Sequence, residues 1–252
     1  MIFGEIPTKF TTLVSCDPLY LRVHGPAFVA AAGLCNNQIH LHIINPGPAD
    51  VTFAQTLRTK METVCGSTAD RMTISIEQTI LTDSMGHSLS AEACRTYYAC
   101  NRFLVADQLF ARGSNSLFIT DIDSMFMAPI DEPDADIGLF LRDQIPGTVG
   151  WEARGTKVAA GAVYYNKSHA WFAKEVAHII QSSDYRWFLD QVALNMTYEK
   201  HKDDIAKFHQ FTPKFLDWEF VEGTSIWTGK GPRKINNPRY VEQKIKFESL
   251  ML

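Results

Sequence analysis

Residues Leu117–Met127 read "LFITDIDSMFM", and the rest of the chain is interpreted outward from them. Leu117, Phe118 and Ile119 have the character of a buried strand, and two aspartates follow, Asp121 and Asp123. Alternate residues of a strand point to the same side, so an extended chain through this stretch predicts that both carboxylates share a side. Carboxylates that close repel each other and are costly to bury unless positive charge lies between them. A divalent cation is the commonest remedy. Hard oxygen ligands favour magnesium, manganese or calcium over zinc, and two carboxylates leave coordination positions for a substrate phosphate. The plain alternative is an acidic pair in a solvated loop.

Before this stretch, strands and helices alternate. "FTTLVSC" (10–16) is β-branched and predicts a strand ending at Asp17; Pro18 then opens "PLYLRVHGPAFVAAAGLC", a predicted helix with a break at Gly25-Pro26. "QIHLHIIN" predicts a second strand, closed by Pro46. Further helices are expected over Thr52 to Val64 and Ala91 to Ala111, with a strand over Arg71 to Glu77 between them. In the long helix Tyr97, Cys100 and Leu104 fall on one face, and Gly113 supplies the stop. The pattern predicts an α/β fold with a Rossmann-like, mostly parallel central sheet flanked by helices. Ligands of such sheets gather outside the carboxyl ends of the strands, where Asp17, Asp121 and Asp123 would lie. Beyond Pro129 come "ADIGLFL", "AAGAVYYN", the helical "HAWFAKEVAHIIQ" and "YRWFLDQVALNMTY", and a looser aromatic and basic tail. One domain is expected, with a nucleotide-type half over about residues 11–130 and an acceptor-side half over about 131–240.

The totals are those of a globular protein: 46% of the 252 residues are hydrophobic and 21% charged. A net charge of -4 argues against a protein that coats nucleic acid. The cysteines Cys16, Cys35, Cys65, Cys94 and Cys100 are odd in number and lack C-x-x-C spacing, which suits free thiols in a reducing compartment. "MIFGEIPTKF" lacks the plan of a signal peptide, and "FVAAAGLC" is far short of the ~20 residues that cross a bilayer. A soluble cytoplasmic protein with no transmembrane segment and no nucleic-acid partner is the expectation.

Six short pieces stand in a telling order: "LVSCDPLYL", "TYYACNRFLVADQLF", "FITDIDSMFM", "AAGAVYYN", "DQVALN" and "WTGKGPRK", together spanning roughly Thr11 to Lys234. In this order and spacing the chain resembles the nucleotide-sugar-dependent glycosyltransferases of GT-A fold, most nearly glycosyltransferase family 8. The resemblance implies transfer of a sugar from a nucleotide-diphosphate donor to a saccharide, lipid or protein acceptor, with retention of anomeric configuration. It implies that Asp17 accepts hydrogen bonds from the base with Tyr20 stacking nearby, that Asp121 and Asp123 hold Mn2+ or Mg2+ on the diphosphate, and that Arg102 orients these carboxylates. Asp17 would equally serve as a helix N-cap, and Arg102 as an ordinary exposed helix residue. In the basic loop Lys230, Arg233 and Lys234 would clamp the diphosphate, with Gly229 and Gly231 letting the backbone approach; a solvated basic surface is the alternative. Asp190 and Gln191 would lie beside the reacting sugar as catalytic residues, unless Asp190 caps its helix. Arg142 and Asp143 are further candidates for sugar contacts.

The chain departs from the family in two places. Residues Thr224 to Thr228 lack the family's metal-binding histidine, so a hydroxyl or water fills that position or the metal binds only with the donor; and Ala159 replaces an asparagine before "AG". His40 and His42 alternate on a strand without further ligands, and His209 has no assigned role. Two rivals remain. A haloacid dehalogenase type phosphatase uses D-x-D on its opening strand, whereas more than a hundred residues precede it here. A non-catalytic nucleotide- or carbohydrate-binding protein derived from a transferase would explain the missing histidine.

Overall fold

A computed structural model of the protein describes residues 2–66, 71–82, 86–145, 150–229 and 231–251. Long apolar runs without alternation make strands covered on both faces, and every residue of "TTLVSC" and "IHLHII" is buried. These runs form the centre of a sheet ordered β1 (Ile2–Gly4), β4 (Met72–Glu77), β3 (Ile39–Ile44), β2 (Thr11–Cys16), β5 (Ser116–Ile119), β8 (Val158–Asn166), β7 (Ile137–Leu141) and β9 (Phe208–Gln210). From β4 through β3 and β2 to β5 all pairs are parallel. The sheet is mixed, however, because β8 inserts antiparallel to both β5 and β7, and β1 is antiparallel to β4. A small second sheet joins β10 (Leu216–Asp217), β11 (Ile226–Thr228) and β6 (Ser124–Phe126).

Adjacent strand residues serve opposite cores. Val14 and Phe118 pack with α1 (Pro18–Leu34), α2 (Pro48–Cys65) and α7 (Pro238–Ser249). Leu13, Leu117 and Ile119 pack with α3 (Ala91–Ala111), α4 (Ala170–Gln181) and α5 (Leu189–His201). The predicted helix face of Tyr97, Cys100 and Leu104 lies in this second core.

Several sequence expectations are corrected. Helix α1 runs unbroken through Pro26. A Cβ on Gly25 would stand 2.9 Å from Leu21 Cδ1 and 3.3 Å from Leu57 Cδ1, so this glycine permits close packing of α2 and does not end a helix. Helix α2 begins at Pro48, four residues early, because Asp50 Oδ2 accepts the Gly47 N–H at 2.9 Å. Residues 185–188 lie outside α5, which starts at Leu189 behind Phe188 in the left-handed region, φ 73°.

His40 and His42 do share a face, and it is buried. His40 bridges Thr73 and Ser75 at 2.8 Å each, and His42 reaches Ser75 at 2.8 Å. Glu77 follows, 3.6 Å from His42 and accepting from Tyr97 at 2.7 Å and Asn101 at 2.9 Å; Ser15 then donates to Asn101 at 2.6 Å. Burial pulls His40 down to about 3, with His42 and Arg112 adding to it, so it is neutral. His209 packs edge-on against Phe211, 4.7 Å between ring centroids.

Candidate functional site

Strand β5 ends at Ile119, and residues 121–123 form a turn closed by Ser124 N–H donating to Asp121 O at 3.0 Å. Asp121 and Asp123 therefore do not share a strand face. The Thr120 hydroxyl donates to Gly161 O at 2.7 Å, which anchors the turn beside β8 and sends the chain into β6. The turn leaves the two carboxylates in unequal settings: Asp121 is half-buried, whereas Asp123 is buried. A Cβ at Gly161 would stand 3.4 Å from Asp121 Oδ2, so bare glycine keeps the space beside that carboxylate open.

The turn forms part of the floor of a cleft of about 740 Å3 outside the carboxyl ends of β2 and β5. The predicted residues Asp17, Tyr20, Arg102, Asp121 and Asp123 line it, as do Asp190, Gln191 and Lys234. Arg233 is not among the lining residues; it is half exposed and pairs with Glu219 at 2.9 Å. Lys230 lies outside the described residues.

Arg102 is the organising side chain. Buried on α3, it reaches Asp121 Oδ1 with Nη1 at 2.8 Å and Asp190 Oδ2 with Nη2 at 3.0 Å. A planar guanidinium can serve two carboxylates at once in this way. Burial opposes its charge, but Asp121 and Asp190 outweigh burial and hold its pKa above the ordinary value. Asp190 does not cap α5. It lies inside the first turn with Oδ1 accepting the Gln191 N–H at 2.8 Å, and burial pushes its carboxyl up, with Arg102 opposing and Asp121 adding to the shift. Gln191 Oε1 accepts from Arg142 Nη1 at 2.8 Å, and Arg142 also donates to Thr156 O. Asp143 pairs instead with Lys157 at 3.0 Å, and it is not a lining residue.

At the other end of the cleft, Lys234 Nζ lies 2.9 Å from Asp123 Oδ2 and 5.3 Å from the Tyr20 ring centroid, a cation–π contact. Asp17 caps α1, its Oδ1 accepting the Tyr20 N–H at 2.9 Å, and it faces the cleft as well. Burial pushes the Asp123 carboxyl above the usual range, Asp121 adds to this, and Lys234 pulls it back. Its Oδ1 is buried with no hydrogen-bond partner. No cluster of three or more His, Cys, Asp or Glu side chains suited to a metal occurs among the described residues. An orphaned carboxylate oxygen beside a second carboxylate fits a hard divalent cation that draws its other ligands from substrate oxygens and water.

Sequence reading missed Trp187 and Trp218, which line the same cleft from loops. No periodicity marks a tryptophan in an irregular segment. Among the described residues no helix is long and apolar enough to cross a membrane.

No protein-family model matches the chain, and no curated protein matches it in sequence. Among solved structures, it is similar to the apo structure of WbbM, a bifunctional glycosyltransferase, with a TM-score of 0.61 and 12% sequence identity. That match covers 96% of this chain and 50% of the other, so the chain spans about half of that protein. At this identity the likeness speaks to fold alone: the chain has a glycosyltransferase-like α/β fold.

Proposed function

We propose that this chain is a metal-dependent glycosyltransferase that takes a sugar from a nucleotide-diphosphate donor and transfers it with retention, as the resemblance to family 8 implies. One observation carries the reading: Arg102 joins Asp121 of the D-x-D turn to Asp190, so a donor-binding carboxylate and a candidate catalytic carboxylate meet in one cleft. Asp17 and Tyr20 would receive the base, and Lys234 would take the diphosphate oxygens by charge-assisted hydrogen bonds. Asp121 and Asp123 would hold Mn2+ or Mg2+, which supplies charge neutralisation for the departing diphosphate.

At the sugar end, Asp190 is buried close to Gln191, and both face the cleft. As the bond from the anomeric carbon to the diphosphate breaks, positive charge grows on the sugar, and Asp190 stabilises it. The acceptor hydroxyl attacks the same face, and its proton passes to the leaving diphosphate. Arg102 opposes the upward push of burial on the Asp190 carboxyl and aims it.

Asp190→Asn is therefore expected to cut turnover roughly 100-fold while donor affinity changes far less, because the lost stabilisation belongs to the transition state. Donor titration alongside steady-state kinetics separates the two effects, and equal losses would contradict this role. Nuclear magnetic resonance of the product from an α-linked donor is expected to show an α product. A β product would overturn retention.

A nucleotide- or carbohydrate-binding protein without turnover is the second reading, favoured by the lack of a third acidic or imidazole ligand among the described residues. It predicts donor binding with no transfer and no hydrolysis.

A further inference from the structure

Three contacts from the C-terminal segment converge on Asp123. Lys234 Nζ meets Oδ2 at 2.9 Å, the Tyr240 hydroxyl donates to the main-chain carbonyl at 2.6 Å, and the Gly229 N–H reaches the same carbonyl at 3.3 Å. A Cβ on Gly229 would stand 2.8 Å from Lys234 Cβ, so a glycine there is what lets the lysine stem cross to the turn. Its side chain is only 20% exposed, and the ammonium is confined between Asp123 and the Tyr20 ring. Burial opposes the charge, and Asp123 outweighs burial to hold the pKa above its ordinary value. Arg102 pairs with Asp121 as well as with Asp190, so each carboxylate of the D-x-D turn is already in an ion pair, and Lys234 is the one that serves Asp123.

A divalent cation arriving alone would therefore meet carboxylates already engaged in ion pairs, and would add two positive charges beside Lys234 and Arg102. A nucleoside diphosphate changes the balance, because its oxygens offer Lys234 a new anionic partner as Asp123 is given up. We infer that Lys234 is a resident counter-ion of Asp123 that exchanges onto the diphosphate, so that cation and nucleotide bind as a pair and the cation binds poorly alone. This inference rests on the metal-dependent donor site proposed above. Thermodynamic linkage makes the coupling reciprocal.

The test is Mn2+ binding followed by electron paramagnetic resonance, with Mn2+ alone and with a panel of common nucleoside diphosphates. For the wild type, a nucleoside diphosphate should tighten Mn2+ by about 10-fold or more. For Lys234→Met, Mn2+ alone should bind about 10-fold tighter than to the wild type, and the coupling should shrink by about the same factor, leaving the part that diphosphate oxygens on the metal supply. Lys234→Arg should restore weak binding of Mn2+ alone, which a loss of folding would not explain. Lys234→Met binding Mn2+ no tighter than the wild type would overturn the inference while leaving the metal site standing, as would equal wild-type affinity with and without nucleotide. Absence of Mn2+ binding under every condition would instead overturn the metal site, and the inference with it.

Discussion

Asp123→Ala is expected to abolish metal-dependent binding of nucleoside diphosphate and to take turnover below detection, with the fold intact. Asp123 supplies a buried oxygen with no partner in the protein, and among the described residues no third acidic or imidazole ligand is available to replace it. Even outer-shell partners of metal ligands are worth about 10–100-fold in metal affinity, so loss of a ligand from a two-carboxylate site exceeds that. The fold should survive for two reasons. The Tyr240 and Gly229 contacts go to the main-chain carbonyl, which alanine keeps, and Lys234 is released next to open cleft. Calorimetric titration of nucleoside diphosphate with Mn2+ and with chelator checks this, alongside circular dichroism. A folded variant with wild-type, Mn2+-dependent affinity would remove Asp123 from the site.

Arg102→Met should lower stability as well as activity. The substitution leaves Asp190 buried without its ion-pair partner, with the Gln191 N–H as its remaining hydrogen bond, and takes the partner from Asp121. Breaking a buried ion pair by removing one member costs about 3–5 kcal/mol, or roughly 6–20 °C in melting temperature for a domain of this size. Adding Asp190→Asn to Arg102→Met should recover part of that loss, because the stranded charge goes with it. Arg102→Lys should recover part of the stability and little turnover, since a point charge cannot span both carboxylates as a planar fork does. An Arg102→Met protein that melts with the wild type would mean that the two contacts contribute nothing.

Apolar runs covered on both faces are visible in one sequence, and β2, β3 and β4 lie where "FTTLVSC", "QIHLHIIN" and Arg71 to Glu77 predict them. Order in the sheet is not visible, because it depends on pairings such as Ser116 with Asn166, fifty residues apart. Local rules misled where tertiary packing overrode them. Gly25-Pro26 reads as a break, yet α1 continues, its faces buried against α2 and the sheet. Extending β5 through Asp123 failed because Thr120 ties the chain to Gly161 and turns it. Residues that line the cleft, such as Asp17, Asp121, Asp123 and Asp190, were nameable from the order of short motifs, but their partnerships were not. Arg102 reaches Asp190 across 88 positions and Lys234 reaches Asp123 across 111, contacts that no local period encodes. Glu77 escaped notice because its role as a buried hub for Tyr97 and Asn101 exists only once α3 lies on the sheet.

Thermal unfolding across a panel of nucleotide sugars, each with Mn2+ and with chelator, bears most directly on the claim that this cleft is a metal-dependent donor site. A ligand that binds only the folded state at one hundred times its dissociation constant adds about 2.7 kcal/mol. The account predicts that at least one nucleotide sugar raises the melting temperature with Mn2+, that chelator removes the rise, and that Asp123→Ala lacks it. Stabilisation that is unchanged by chelator, or that the free sugar produces as well as its nucleotide form, would contradict it.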